Sequence, residues 1–381
     1  MKILVIGGGP AGLMAAKQAF LKGHDVCIVD SQEKLGKKLL MTGNTRCNIT
    51  NNKELNEFMK QCSKSTRFLY SSLSEFGPKE IIEFFNEHNC PLVPEDYDRM
   101  FPQSQKATDI LNVLLTESVK TELNTKVERL NIKDHTIESI TTNKGELTAD
   151  HYILATGGKS FPVSGSDGSG YKLLQSVGHT ITDLVGIETG LHSINTRPLQ
   201  GLSLKDVTIK VRVKNKVKTT EIGDVLFTHF GLSGPGILKI SETVVEHLKH
   251  PVSITLSLQQ VDLSTGSLTK KLKAIYPNRF VDELLKDYDE KPLEQTSNYD
   301  KEIIRTIYLN PTYKITGVQP IEKAFVTKGG VATKDIDPIT MKSKLIHNLS
   351  ICGEVLDCHG SVGGYNLTLA LSSGYTAGRK I

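Results

Sequence analysis

Residues 2–6 (KILVI) are a short, almost wholly apolar run, the pattern of a strand covered on both faces. A helix is expected over 10–22, where Ala11, Ala15, Ala16 and Ala19 permit close packing and Gly23 suits a C-terminal cap. Residues 26–30 (VCIVD) predict a second buried strand that ends on an acid. Together they make a βαβ-type opening. Farther on, Phe58, Phe68, Leu69, Leu73, Phe76, Ile81, Ile82 and Phe85 fall at core-like helical intervals across 56–89, and a further helix is expected over 107–123. Residues 125–150 alternate like an antiparallel meander, and 151–155 (HYILA) read as a strand running into Thr156-Gly157-Gly158.

The texture changes near residue 188. Val207, Ile209, Val211 and Val213 alternate with Thr208, Lys210, Arg212 and Lys214, as in a half-exposed antiparallel strand, and Ile254, Leu256 and Leu258 repeat the pattern. Residues 264–315 look helical and polar. From Phe325 the chain returns to a glycine-rich α/β texture, with a strand at 349–352, a glycine loop and a last helix from about Asn366. The expected fold is therefore α/β: a Rossmann-like domain from 1–187 and 323–381, interrupted by a β-rich domain over 188–262 and a small helical domain over 263–322.

Composition narrows the class. The 381 residues exceed what one compact core holds. The formal charge is +4, and 46 basic residues are interleaved with 42 acidic ones, which argues against a dedicated nucleic-acid surface. No apolar run approaches the ~20 residues that cross a bilayer, and glycines interrupt the only signal-like start. Six cysteines without zinc-like spacing suit reduced thiols in a cytoplasmic protein with no structural metal.

The chemistry begins at Gly7-Gly8-Gly9-Pro10-Ala11-Gly12, between the first strand and helix. Gly7 permits the tight turn, Gly9 lets the backbone approach a pyrophosphate, and Gly12 allows close helix–strand packing. Pro10 and Ala11 open the helix whose N-terminus faces the phosphates. Asp30 is placed to hydrogen-bond a ribose hydroxyl. Two later stretches favour FAD over NAD as the bound dinucleotide. One is the small-residue turn Ala155-Thr156-Gly157. The other is 349–367 (LSICGEVLDCHGSVGGYNL), where Gly353-Glu354 offers a carboxylate to the ribityl or pyrophosphate region. Gly363-Gly364 then opens the last helix through Tyr365, Asn366 and Leu367, and its N-terminus would stabilise negative charge on a reduced flavin. Val127 starts a segment whose backbone would touch adenine.

Gly36-Lys37-Lys38-Leu39-Leu40-Met41-Thr42-Gly43-Asn44-Thr45-Arg46-Cys47-Asn48-Ile49-Thr50-Asn51 resembles the GKKLxxTGxGRCNxTN pattern of a bacterial flavoprotein family, the NAD(FAD)-utilising dehydrogenases, which includes aminoacetone oxidases. Only Thr45 departs from it, where glycine is usual. Phe227-Thr228-His229-Phe230-Gly231-Leu232-Ser233-Gly234-Pro235, Phe325-Val326-Thr327-Lys328-Gly329-Gly330-Val331 and Gly353-Glu354-Val355-Leu356-Asp357 extend the resemblance along the chain. It implies a discontinuous FAD domain, a β-barrel-like domain and a small helical one; the FAD is expected to be held non-covalently.

Within that loop Thr42, Gly43, Arg46 and Asn48 are expected beside the flavin, and Lys37 and Lys38 either neutralise pyrophosphate or are merely solvated. Cys47 reads as a buried structural thiol. His229, Lys328 and Tyr365 are the candidate proton-transfer groups. The expected activity is hydride transfer between flavin N5 and a small molecule. Either NAD(P)H reduces the flavin, or a small amine such as aminoacetone does and oxygen reoxidises it. The alternative from another class is an RNA-associated protein with structural FAD.

Overall fold

The computed structural model describes residues 1–381 and divides into two compact units, Met1–Gly186 with Val326–Ile381, and Ile187–Phe325. Each unit has its own apolar core.

In the first unit a parallel five-stranded sheet runs in the order Leu349–Ile351, His151–Leu154, Lys2–Ile6, Asp25–Val29, Lys120–Glu122. The N-terminal strand is central, pairing Val5 with Ile28 on one side and Ile153 on the other, which explains its unbroken apolar character. The Pro10–Leu21 helix makes the crossover to the second strand. Its small residues serve a purpose beyond sheet packing. A Cβ on Gly374 or Gly378 of the C-terminal helix, Tyr365–Arg379, would lie 2.3 Å from Ala11 O or 2.1 Å from Ala15 O. The two ends of the chain are thus packed backbone to backbone.

Two helical expectations change. The 56–89 segment is broken into Leu55–Met59, a 3₁₀ turn at Ser65–Leu69, Tyr70–Glu75 and Pro78–Glu87. The last break falls at Gly77-Pro78, where proline forces a new first turn. Residues 107–123 are not one helix: Ala107–Leu114 is helical, and Lys120–Glu122 is the exposed edge strand of the parallel sheet. The meander forms as Val127–Lys133, Thr136–Thr142 and Gly145–Leu147.

The second unit is built on a seven-stranded antiparallel sheet in the order Thr312–Ile315, Val252–Ser257, Ser203–Val213, Lys216–Phe227, Gly231–Ser233, Leu191–His192, Gly317–Val318. Its two edges are one run of chain. Tyr313 pairs with Ile254, and Val318, five residues later, pairs with Leu191. The short helices Leu268–Lys273 and Asn278–Leu284 do not stand apart as a domain. Leu268, Leu272, Phe280 and Val281 share one core with Ile209, Val211, Phe227 and Ile254 of the sheet.

Candidate functional site

The glycine turn follows the N-terminal strand directly. Gly7 has φ +106°, and a Cβ there would sit 2.4 Å from Ala155 O, so only glycine lets the two parallel strands end side by side. A Cβ at Gly12 would meet Gly7 O at 1.9 Å, whereas nothing lies within 4 Å of one at Gly9. The turn is therefore closed on its protein side and open where a phosphate approaches. The Pro10–Leu21 helix has no side-chain cap, and Pro10 in its first turn brings no N–H of its own. The first-turn dipole is left to an anion.

Asp30 follows the second strand and fixes the turn. Its Oδ2 accepts the Gly8 N–H at 2.6 Å and its Oδ1 accepts the Gln32 N–H at 2.7 Å. Burial pushes its carboxyl above the usual range, and those two amide hydrogen bonds oppose the shift. Each oxygen keeps a second lone pair for a ribose hydroxyl. Gln32, which the sequence did not single out, also accepts from Lys37 Nζ at 3.1 Å, so Lys37 is tied to the same loop.

Lys38 reaches across the fold. Its Nζ lies 2.7 Å from Glu354 Oε2 and 3.0 Å from Ser160 Oγ. Glu354 Oε1 accepts the Thr327 N–H at 2.9 Å, and Thr327 Oγ1 accepts the N–H groups of Lys159 and Ser160. Ser160 and Thr327 are thus further site residues. Their only sequence signal is their position inside the glycine-rich stretches 157–170 and 325–331.

Along the 42–48 loop, Gly43, Asn44, Thr45 and Cys47 all have positive φ. Thr42 Oγ donates to Leu39 O. Arg46 lies over the Phe101 ring at 4.4 Å and bonds Glu95 and Gln105, each at 2.7 Å. Cys47 is buried, and burial pushes its thiol up to about 12, against the Thr42 hydrogen bond. It stays a thiol at neutral pH. Asn48, with its amide turned as its neighbours require, donates to Thr50 O and accepts the Gly364 N–H at 3.0 Å. The loop is thereby joined to the N-terminus of the last helix.

At that terminus Gly364 has φ +91°, and a Cβ would sit 2.4 Å from Thr50 O. The Tyr365–Arg379 helix has no side-chain cap. Tyr365 is buried with its ring 4.6 Å from Phe58, and burial, with Cys62 and Asp98, pushes its hydroxyl up to about 12. Asn366 clasps both backbone groups of Gly360, and Leu367 packs against the core. Lys328 ends the Val326–Lys328 strand, half-buried. His229 lies in the other unit, exposed in a turn closed by the Thr228–Gly231 hydrogen bonds, edge-on to Phe230. Val127 is buried at the start of the meander.

Whether these residues fit FAD can be asked of the buried polar atoms they leave behind. Thr156 Oγ1 and Asn51 Oδ1 are buried without partners, the first packed against Gly170 of the Ser169–Ser176 helix although its own backbone adjoins Gly7, the second next to Gly363, whose carbonyl Asn51 Nδ2 meets at 3.3 Å. Of the chain's buried orphans, Asn51 Oδ1 lies beside the uncapped N-terminus of the last helix, and a polar ligand there, with the open glycine turn, suits a dinucleotide. Asp30, the Lys38–Glu354 pair and the 363–364 turn would hold it. No cluster of metal-ligating side chains occurs, and no helix is long and apolar enough to cross a membrane.

The family described as HI0933-like protein Rossmann domain matches residues 1–380. A 3-dehydro-bile acid delta(4,6)-reductase of Clostridium scindens is 28% identical over 99% of this chain and 98% of its own. A ribosomal RNA dihydrouridine synthase of Escherichia coli is 29% identical over 99% and 97%. Among solved structures, a 3-ketosteroid delta1-dehydrogenase of Sterolibacterium denitrificans superposes with a TM-score of 0.53 at 13% identity, covering 99% of this chain and 98% of the other, a likeness of fold. The chain belongs to the HI0933-like family of Rossmann-domain flavoproteins and is an FAD-dependent oxidoreductase.

Proposed function

We propose that this oxidoreductase saturates a carbon–carbon double bond conjugated with a carbonyl, using NAD(P)H as the electron source. The observation that carries the reading is a shared chemistry. The two full-length relatives are named for reducing a 3-oxo-Δ4,6 steroid and for making dihydrouridine, and both products arise by adding a hydride and a proton across such a bond. A small amine such as aminoacetone is the competing reductant, and no observation favours it.

Bound FAD supplies the hydride, through N5. The chain's own residues bind and orient. The Gly7–Gly12 turn and the Pro10–Leu21 helix N-terminus would take the pyrophosphate, Asp30 would take the ribose, and the Lys38–Glu354 pair would bring one charge of each sign to the same region. The N-terminus of the Tyr365–Arg379 helix, held by Asn48, offers N–H groups to the negative charge that accumulates on two-electron reduction. Tyr365, whose hydroxyl burial keeps protonated, stays with Lys328 and His229 among the candidate proton donors.

The test is anaerobic mixing of the holoenzyme with NADH, NADPH or aminoacetone, followed by a 4,6-dien-3-one steroid, a uridine-containing RNA, or oxygen. Bleaching by a nicotinamide, with recovery of the oxidised band on adding either unsaturated substrate, is the expected result. Bleaching by aminoacetone alone, with peroxide formed on aeration, would replace the proposal with an amine oxidase.

A further inference from the structure

The interleaving of acids and bases along the chain does not survive folding on one face of the second unit. The register of the antiparallel sheet places residues in transverse rows. Lys314, Ser253 and Arg212 are directly opposite one another, and so are Thr312, Thr255, Lys210 and Thr220. Ser257 and Thr208 make the next row, which ends at Ile222. These positions alternate with buried Ile209, Val211, Ile254 and Tyr313, so they share the outward face. Lys214 occupies the hairpin turn, with Asn215, both at positive φ, and exposed Lys216 and Lys218 lead away from it.

No acidic side chain occupies any of these rows. Of the acids of the same hairpin, Glu221, opposite buried Ile209, pairs with Lys239 at 3.0 Å, Asp224 pairs with Lys205 at 2.6 Å, and exposed Asp206 lies at the irregularity between Leu204 and Val207, beyond these rows. Lys210, Arg212, Lys214, Lys216, Lys218 and Lys314 form no ion pair. Arg212 is aimed by its own sheet, donating to Thr255 Oγ1 at 3.1 Å and to Asn215 O at 3.2 Å.

We propose that this face is a docking surface for the sugar–phosphate backbone of RNA. Like charges gathered without counter-charges repel one another, and a polyanion relieves that repulsion while releasing its own counterions. Of the side chains between the cations, the hydroxyls of Thr208, Thr220 and Ser253 are accessible and would donate to phosphate oxygens and 2′-hydroxyls, whereas Thr255 is buried and Ser257 and Thr312 donate to Asn310. An acidic protein would be met by the same cations. A lipid surface asks for an apolar stripe, and the exposed aliphatics of this hairpin, Val217, Ile222 and Leu226, are scattered along it. The face carries no aromatic stacking platform, so the contact is with backbone and not with particular bases. The inference rests on charge and register, independent of which double bond is reduced.

The experiment is fluorescence anisotropy of the FAD-loaded protein with a labelled single-stranded RNA, repeated between about 50 and about 200 mM salt. If all six cations engage, log K falls against log salt with a slope of about −4, roughly a 250-fold loss across that range. The variant K210Q/R212Q/K314Q binds at least tenfold more weakly with a shallower slope, its flavin spectrum and melting temperature unchanged. If that variant does not fold, K214Q/K216Q/K218Q at the hairpin tip gives the same reading. Wild-type protein that shows no RNA affinity at the lowest salt overturns the proposal. So do variants that bind RNA as wild type does, or tighter binding to phosphatidylglycerol vesicles or to polyglutamate than to RNA. Failure of steroid or uridine reduction leaves this measurement untouched.

Discussion

Lys38 and Glu354 are 316 residues apart in sequence, yet their side chains meet at 2.7 Å, with 26% and 19% of each exposed. The pair joins the loop after the second strand to the end of the last strand, the two segments that would flank the cofactor. Removing Lys38 leaves a mostly buried carboxylate with only the Ser160 hydroxyl and the Thr327 amide. Lys38→Met is expected to lower stability by about 2 kcal/mol, discounted for partial exposure. It should also weaken FAD retention. Lys38→Arg should restore most of both. Flavin fluorescence during thermal unfolding reads the two effects together.

The C-terminal helix tests the packing of the chain ends. Alanine normally favours a helix over glycine by about 1 kcal/mol. At Gly378 its Cβ would lie 2.1 Å from the Ala15 carbonyl oxygen, a backbone atom that cannot swing away. The clash should win, with Gly378→Ala costing about 1–3 kcal/mol and shedding FAD. Denaturant midpoint and flavin content after gel filtration decide it. A stabilised variant would mean the helices are farther apart than described.

Some of this was legible beforehand and some was not, for physical reasons. Gly7 and Gly12 could be read because the tight turn leaves no room for a Cβ at either, while Gly9 and Asp30 followed from the spacing of the motif. The alternation of Val207–Val213 was legible because one face of that strand is buried. Lys120–Glu122 was missed because an exposed edge strand of three residues has no apolar signature. The Lys38–Glu354 pair and the cationic rows depend on register between distant strands, which periodicity cannot supply. Tyr365 stood beside a promising helix start, but its ring direction is set by Phe58, more than 300 residues away.

Thr45 is the one departure from the family-like loop pattern, and it stands at φ +67°, where β-branched residues are strained. Thr45→Gly should therefore stabilise the protein, by about 1 kcal/mol, because the strain relieved exceeds the extra freedom of the unfolded chain. Thr45→Ala should fall between. Calorimetry on the three proteins gives the order, and a destabilised glycine variant would show that the threonine is held by contacts outweighing its backbone.

His151 carries a pH dependence. Burial, with Lys342 and His24 nearby, lowers its imidazole from 6.5 to about 4, while its Nε2 meets Ser350 Oγ at 2.9 Å. The folded state prefers the neutral ring, so the unfolded chain binds the extra proton. The stability is fully present above about pH 6.5 and is lost as pH falls toward 4, by up to about 3 kcal/mol. His151→Gln, which keeps a polar partner for Ser350, should flatten the stability profile in that window. An unchanged acid limb would place the sensitivity elsewhere.

Thr156 separates a cofactor role from a structural one by opposite signs. Its hydroxyl is buried without a partner, which costs about 1–3 kcal/mol in the protein alone. Thr156→Val keeps the shape and removes the orphan, so the FAD-free protein should melt higher. If the hydroxyl exists to meet FAD, the same change deprives the cofactor of a hydrogen bond, and affinity should fall about fivefold to tenfold. Apo-protein melting and FAD titration on one preparation give both numbers. A variant that is stabilised without losing affinity would remove Thr156 from the binding site, and leave Asn51 Oδ1 as the orphan that still argues for a polar ligand there.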